Sequence, residues 1–157
     1  MRARAALISI GLASVLAWMA SGASAQSSNP RFGKWKLKSD AAPPASNIMT
    51  YERYQDTGMR ITIESVNARG ETSRWGYTTM FDGRDEPLYG NANTDTGAVL
   101  RISDRINEII YKKNGVVTQI LTNVLSPDGM SIGVMYMRMD PTGQRVTNIT
   151  VATYEKL

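Results

Sequence analysis

The sequence predicts an all-β domain, a single antiparallel up-and-down meander of about ten strands closing into a barrel, preceded by a cleaved signal peptide. Three observations lead to this prediction. From Phe32 onward the chain falls into short segments rich in Val, Ile, Thr, Tyr and Met. Gly, Pro, Asn or Asp interrupts these segments at short intervals, and no long window has the periodicity of a helix.

The candidate strands are defined by their composition and by the turn residues between them. They span Gly33–Lys38, Ile48–Gln55, Met59–Asn67, Thr72–Phe81, Pro87–Tyr89, Ala98–Ser103, Ile106–Lys113, Val116–Leu125, Met130–Met139 and Arg145–Lys156. The third strand alternates apolar and polar residues, as expected for a sheet with one face in water.

The connections predict how the strands are joined. Asn114-Gly115 lies between two strand-like segments and is the strongest hairpin signal in the chain. Asp82-Gly83 is also predicted to be a turn, whereas Ser39–Asn47 and Tyr89–Gly97 are too long for hairpins. Tight turns between consecutive strands produce a meander, and an open sheet of this size would leave two long unpaired edges. We therefore favour a closed or nearly closed barrel over a sandwich.

The first 25 residues have the pattern of a secretory signal peptide. Arg2 and Arg4 precede an apolar segment from Ala5 to Ala20, and Ala23-Ser24-Ala25 supplies a cleavage site flanked by small residues. The apolar segment is too short to cross a bilayer. We expect cleavage after Ala25, a single β-barrel domain over residues 26–157, a periplasmic or secreted location, and no stable membrane insertion after cleavage.

Composition excludes several function classes. The chain has no Cys and no His, which removes cysteine proteases, disulfide exchange, serine–histidine triads and ordinary zinc or copper sites. Loss of Arg2 and Arg4 lowers the formal net charge from +4 to +2, and the remaining basic residues are scattered. We therefore predict no nucleic-acid partner, no metal and no cofactor.

Short motifs at both ends resemble those of a known family. Gly33-Lys34-Trp35 matches the Gly-x-Trp signature that opens lipocalins and fatty-acid-binding proteins, and Thr153–Lys156 resembles the closing strand of the latter. The chain also resembles small exported bacterial proteins of unknown function that begin with Asn-Pro and Gly-x-Trp-Lys-Leu, here Asn29-Pro30 and Gly33–Leu37, and end in Tyr-Glu-Lys. The resemblance implies a calycin-like barrel.

The sequence departs from that family at two places. Fatty-acid-binding proteins insert a helical lid after the first strand, whereas Ser39–Asn47 is short and contains two prolines. Many of them hold the ligand carboxylate with an Arg two positions before a Tyr of the last strand, and here Ala152 precedes Tyr154. The resemblance further implies that Trp35 packs across the base of the barrel and does not contact a ligand.

Aromatic and methionine side chains are the candidate lining of an interior cavity, with ordinary core packing as the simpler alternative. Trp75, Tyr77 and Phe81 share one face of their strand. A neighbouring Arg could reach into such a cavity as a partner for an anion. The candidate ligand-binding residues are Trp75, Tyr77, Arg101, Met135, Met137, Arg138, Met139 and Tyr154.

Three function classes follow. The first is a non-enzymatic exported barrel that binds a small, partly apolar ligand, such as a lipid or a hydrophobic metabolite. The second is a filled barrel of the cell envelope that acts through its surface as a protein-interaction module, with a protein partner that the sequence does not identify. An enzyme is the third class, and no constellation of acid and base residues supports it.

Overall fold

A computed structural model describes residues 29–157, and the predicted signal peptide lies outside this range. No helix within it is long and apolar enough to cross a membrane. The described residues form ten strands. These are β1 (Gly33–Leu37), β2 (Ser46–Tyr54), β3 (Gly58–Val66), β4 (Thr72–Thr79), β5 (Asp82–Pro87), β6 (Thr96–Arg101), β7 (Ile106–Lys113), β8 (Val116–Leu125), β9 (Ser131–Met139) and β10 (Val146–Lys156).

All ten strands belong to one antiparallel sheet in the order β4-β3-β2-β1-β10-β9-β8-β7-β6-β5. Consecutive strands are neighbours except for β4 and β5, and β1 also pairs with β10. The first strand therefore joins two meanders, one from β1 to β4 and the other from β5 to β10. This arrangement confirms the predicted all-β, up-and-down barrel.

The barrel is nearly closed where β4 meets β5, the two ends of the sheet order. A single antiparallel bridge connects Gly76 of β4 to Tyr89, which follows β5. The Gly76 amide donates to the Tyr89 carbonyl at 3.1 Å, and the Tyr89 amide donates to the Gly76 carbonyl at 3.0 Å. These two hydrogen bonds are the backbone connection across this seam.

The wall is incomplete beside β10. β1 pairs with β10 only from Leu37↔Tyr154 to Trp35↔Lys156, because β1 has 5 residues and β10 has 11. Over residues 146–152, β10 has β9 on one side and no described strand on the other. The side chains at 146–151 are exposed.

The turn chemistry is confirmed at the Asn-Gly hairpin and wrong at Asp82-Gly83. Asn114 and Gly115 have φ values of 50° and 78°, which suits the type I′ turn that this dipeptide favours. Asp82 begins β5 instead, and the chain reverses at Phe81, whose φ is 61°. The other nine predicted strands overlap the observed ones.

The fifth strand was predicted too late in the chain, at Pro87–Tyr89, and the observed β5 ends at Pro87. The charged residues of the observed β5 have the composition of a turn. These side chains are mostly exposed on a strand at the edge of the sheet, and a bulge lies between Asp82 and Asp85. Charges and bulges are common on edge strands, which explains why composition misplaced this one.

Alternating side chains of the strands meet inside the barrel and form its core. The buried apolar members are Trp35, Met49, Tyr51, Met59, Ile61, Ile63, Tyr77, Phe81, Val99, Ile109, Tyr111, Leu121, Leu125, Ile132, Val134 and Tyr154. Trp35 is 0% exposed and its indole Nε1 donates to the Arg31 carbonyl at 2.8 Å. This packing at the barrel base agrees with the structural role expected for Trp35.

We predict that Gly76→Ala weakens the seam. A β-carbon at Gly76 would overlap the carbonyl oxygen of Ile61 and the hydroxyl of Tyr89. Because the Ile61 contact is to backbone, the strands must move apart, and we expect a loss of roughly 1–3 kcal/mol in the free energy of unfolding. Urea denaturation followed by tryptophan fluorescence measures this loss.

Gly133→Ala is the matched control, since Gly133 also lies within a strand. A β-carbon there meets nothing within 4 Å. We expect this variant to be as stable as the parent or slightly more stable, because Ala restricts the unfolded chain. Equal stability of the two variants would contradict the role assigned to Gly76.

Candidate ligand-binding cavity

A cavity of about 220 Å³ lies inside the barrel. β2, β3, β4, β7, β8, β9 and β10 all contribute to its wall, and the connection between β5 and β6 adds Asn91 and Thr94. The aromatic part of the lining is Tyr51, Trp75, Tyr77, Tyr111, Tyr136 and Tyr154. The aliphatic and thioether part is Met49, Ile61, Ile63, Ile109, Leu121 and Val134. Asn47, Asn91, Thr94, Gln119 and Asn123 supply the remaining polar groups, so among residues 29–157 no charged side chain lines the cavity.

Three aromatic rings form a cluster on one side of this cavity. Trp75 and Tyr77 are nearly parallel, with centroids 6.4 Å apart and planes at 17°. Tyr111 meets both rings edge-on, each at a centroid distance of 5.9 Å. The Tyr111 hydroxyl donates to the Tyr77 hydroxyl at 3.2 Å. Edge-to-face contacts of this kind fix ring orientations and present a rigid aromatic surface.

A chain of hydrogen bonds forms the floor of the cavity. The buried Arg31 guanidinium donates to Asn123 Oδ1 at 2.8 Å and to the Arg105 carbonyl at 2.6 Å. Asn123 Nδ2 donates in turn to the Tyr51 hydroxyl at 3.1 Å, and that hydroxyl donates to Met49 Sδ at 2.9 Å. Arg31 itself does not line the cavity. The floor is therefore polar but presents an amide and a hydroxyl in place of a charge.

Asn47, on the cavity wall, has an acceptor with no partner. Its Nδ2 donates to Ser65 Oγ at 2.7 Å, whereas its buried Oδ1 accepts no hydrogen bond from residues 29–157. A buried acceptor without a donor costs about 1–3 kcal/mol. This oxygen is therefore suited to accept a hydrogen bond from an N–H or O–H group of a ligand.

The interior disfavours charge on its tyrosines. Burial raises the pKa of Tyr77 to about 12, and the hydrogen bond from Tyr111 opposes part of this rise. Burial also raises the pKa of Tyr51, Tyr111, Tyr136 and Tyr154. All five phenols are therefore neutral at physiological pH.

Trp75, Tyr77 and Tyr154 were predicted as ligand contacts, and the structure places all three on the cavity wall. Tyr154 lies beside Tyr136, with hydroxyl oxygens 3.3 Å apart. The sequence analysis did not select Tyr111 as a ligand contact. Tyr111 shares one face of β7 with Ile109, and this alternation of side chains was the signal that could have identified it. Contacts of Trp75, Tyr77 and Tyr154 with a ligand stay a prediction.

Met135, Met137 and Met139, which we call the methionine stripe, do not line this cavity. Their predicted placement at the ligand is thereby corrected. Val134 and Tyr136 of β9 point to the interior, so Met135, Met137 and Met139 lie on the opposite face of the strand. Met135 is 37% exposed. Both faces of β9 are apolar, and the alternation alone could not identify the inner one.

The stripe belongs to an apolar patch on the outside of the barrel, which we call the outer face. Strand register aligns Ile110, Ile120, Met137 and Ile149 across β7, β8, β9 and β10. Ile149 is 58% exposed and Val151, opposite Met135, is 74% exposed. The outer face is a candidate contact surface because apolar residues are contiguous on it.

The two predicted arginines also lie outside the cavity. Arg101 is exposed at the base of the barrel, where its guanidinium carbon is 4.5 Å from the centre of the Phe81 ring. Arg138 is exposed near the opposite end, in a cleft that also includes Met139. The structure thus separates these arginines from the aromatic candidates.

No known protein family matches the sequence, and no curated protein matches it. Solved structures of the fluorescent protein UnaG do resemble the fold. Wild-type UnaG is 10% identical with a TM-score of 0.55, and the match covers 80% of this chain and 96% of UnaG. For an asparagine-to-alanine mutant of UnaG the values are 9%, 0.57, 82% and 97%.

At this level of identity the likeness concerns the fold alone. What the two chains share is the barrel fold, which in this chain is a nearly closed antiparallel meander of ten strands. The helical lid is absent from residues 38–45, as the sequence predicted.

We predict that Met137→Glu folds, because the new carboxylate would lie on the outer face in contact with water. The expected cost is about 1 kcal/mol in the free energy of unfolding. Val134→Glu on the inner face of the same strand would bury an unpaired charge and cost roughly 3–5 kcal/mol. Thermal unfolding followed by circular dichroism compares the two, and the reverse order of stabilities would contradict the assignment of the faces.

We also predict that stability falls at alkaline pH. Tyr77 keeps its proton in the folded chain up to about pH 12, whereas an unfolded tyrosine loses it near ~10. Stability is therefore fully present below the unfolded pKa and decreases as pH rises through the folded one. Each such tyrosine contributes a slope of ~1.4 kcal/mol per pH unit. Urea titrations between these pH values should show a smaller slope for Tyr77→Phe; a pH-independent parent would be inconsistent with buried phenols.

Proposed function

We propose that this chain is a non-enzymatic binding protein that holds a small, uncharged, partly apolar ligand inside its barrel. The observation that carries this proposal is the cavity wall, which combines an aromatic surface and aliphatic side chains with amides and hydroxyls and has no charged member. Ligand sites in proteins commonly have this composition, a mostly apolar lining with a few polar groups that fix orientation.

The lining favours a neutral ligand over an anionic one. Transfer of a charged group into an apolar interior is costly unless an opposite charge receives it. The nearest buried charge, Arg31, already donates to Asn123 and to a backbone carbonyl. The family arrangement of Arg and Tyr on the last strand is replaced by Ala152 and Tyr154. The part of the chain that the structure describes therefore supplies no cationic partner for a ligand carboxylate on the cavity wall.

The size of the cavity favours a compact molecule. Its volume of about 220 Å³ is below the ~300–1,000 Å³ that is usual for ligand pockets. A flat hydrophobic metabolite with an N–H or O–H group suits the aromatic cluster and the unpartnered Asn47 oxygen better than a long-chain lipid does.

We further propose that the protein is exported and that it does not act as an enzyme. Export to the periplasm or the medium is supported by the pattern of residues 1–25 alone. A binding role is favoured over catalysis because the titratable groups on the cavity wall are tyrosines with raised pKa values, which are poor acids and bases near neutral pH.

A surface role is the second candidate, and the outer face favours it. Several apolar side chains are exposed there in adjacent rows, next to the unpaired part of β10. Such patches often mark protein contacts. The two candidates predict different sites for a hydrophobic probe, one inside the barrel and the other on the outer face.

The test uses two dyes that differ by one charged group. N-phenyl-1-naphthylamine is neutral, and 1-anilinonaphthalene-8-sulfonate carries a sulfonate on the same ring system. We expect the neutral dye to bind with one-to-one stoichiometry and at least about tenfold more tightly, because the sulfonate must lose its hydration in a wall without a cation. Fluorescence titration gives both dissociation constants. Failure of both dyes to bind would oppose interior binding. Tighter binding of the sulfonate that Val134→Phe abolishes would oppose only the preference for a neutral ligand, whereas sulfonate binding that survives Val134→Phe occurs outside the interior cavity.

A matched pair of variants locates the dye. Val134→Phe fills the cavity and should abolish binding, with a folding cost of roughly 1–3 kcal/mol. Met135→Phe adds the same ring one residue further along, on the outer face, and should leave interior binding unchanged. Circular dichroism verifies that both variants are folded. If Met135→Phe alters dye binding and Val134→Phe does not, the dye binds the outer face and the surface role gains support.

A further inference from the structure

A second cavity lies at the base of the barrel, on the other side of Arg31 from the interior cavity. This base pocket has a volume of about 470 Å³. The segment before β1 and the connections after β2, β4 and β6 surround it. Its lining includes three arginines, Arg31, Arg53 and Arg101, so its chemistry differs from that of the uncharged interior.

Arg31 brings a buried positive charge to this pocket. It is 2% exposed, and the two hydrogen bonds of its guanidinium group are to the Asn123 side-chain amide and to a backbone carbonyl. Residues 29–157 supply no carboxylate that forms an ion pair with it. Burial lowers the pKa of Arg31, and the charge of Arg101 contributes to that lowering. Two like charges are thus held close together without a neutralising partner in the described chain.

Arg53 and Arg101 are positioned by aromatic rings. The guanidinium carbon of Arg53 is 6.0 Å from the centre of the Phe32 ring, and that of Arg101 is 4.5 Å from the centre of the Phe81 ring. Contact with a ring uses the face of a guanidinium and leaves the N–H groups at its edge available. Within the described residues neither arginine forms an ion pair.

The backbone at Phe81 is strained, which indicates that the position of its ring matters to the site. Its φ of 61° lies in the left-handed region, which is costly for a bulky residue. The Phe81 amide donates to Thr79 Oγ1 at 2.9 Å, and its carbonyl accepts from the Arg101 amide at 3.4 Å. These contacts hold the ring under Arg101.

The side-chain amide of Asn107 is a further polar group of the base pocket, independent of the arginines. Asn107 lines the base pocket and is only 4% exposed, yet its side chain makes no hydrogen bond within residues 29–157. Its cross-strand neighbour Asn123 makes two, to Arg31 and Tyr51. Unlike the Asn47 oxygen, the Asn107 amide is not fully enclosed, so its N–H and C=O groups are open to the base pocket and available to a ligand there.

Two carboxylates, Asp56 and Asp104, also line the pocket. Both belong to exposed connections, and neither forms an ion pair with the three arginines. The lining therefore keeps an excess of one positive charge, three against two.

We propose that the base pocket binds an oxyanion, a phosphate or sulfate group, between Arg53, Arg101 and the Asn107 amide, with Arg31 as the buried charge behind it. Arginine forks match the oxygens of such groups, and charge-assisted hydrogen bonds are about twice as strong as neutral ones. The pocket is larger than an inorganic ion, which favours an oxyanion carried by an organic molecule. This site is separate from the interior cavity and does not depend on the function proposed for it.

The experiment measures the melting temperature of the purified protein in sodium phosphate, in glycerol 1-phosphate, and in sodium chloride at the same ionic strength. A ligand that binds the folded chain raises the melting temperature in a concentration-dependent way. We expect both phosphates to raise it beyond the chloride value. Phosphate also stabilises folded proteins in general, so the increase supports the site only if it saturates with concentration and is smaller in Arg101→Gln. With that dependence, a stronger effect of glycerol 1-phosphate indicates an organic phosphate, and an equal effect indicates the free ion. Equal melting temperatures in all three salts would overturn it.

Arg101→Gln should weaken phosphate binding about tenfold, since one charge-assisted pair is lost. Arg74→Gln is the control, because Arg74 is exposed on β4 with Glu64 as its partner at 3.5 Å. Asn107→Leu tests the amide without changing any charge and should also weaken binding. Isothermal titration with phosphate compares the variants, each verified as folded by circular dichroism. Equal affinity of Arg101→Gln, Asn107→Leu and Arg74→Gln would contradict the assignment.

Discussion

A buried guanidinium needs acceptors, and Arg31 finds them on two separate parts of the barrel, Asn123 of β8 and the carbonyl of Arg105. These bonds hold the segment before β1 across the base, while the Arg31 carbonyl receives the indole of Trp35. Removal of any partner would leave a charged or polar group buried without compensation. The same hydrogen bonds form the floor of the interior cavity and separate it from the base pocket, so both candidate sites depend on them.

The hydrogen-bonded groups around Arg31 divide the inside of the barrel into an uncharged region and a positively charged one. Above Arg31 the wall consists of neutral phenols and amides, and below it guanidinium groups rest on aromatic rings. The nearly closed barrel makes this division possible because the inward-facing side chains of its strands meet in one interior, which the segment before β1 divides. One short segment of chain, placed at the base, is enough to separate two regions with opposite preferences for charge.

Much of the architecture could be predicted from local patterns, because turn residues and strand composition act over a few positions. Asn114-Gly115 is one example, and its positive φ values match the hairpin that the dipeptide favours. β5 is a counterexample, since a charged edge strand and a turn have the same composition. The inner face of β9 could not be predicted either. Both faces of this strand are apolar, and only the fold of the barrel determines which of them faces the interior.

The candidate sites could be predicted only in part, because their members meet through closure and not through sequence proximity. Tyr77 and Tyr111 bond across a separation of 34 residues, and Arg31 and Asn123 across 92. Closure also has a kinetic consequence. Trp35 pairs with Lys156, so this wall cannot form until residue 156 has been synthesised. Contacts this distant in sequence form slowly, so the strands that precede β10 must wait for it with one side of the barrel open.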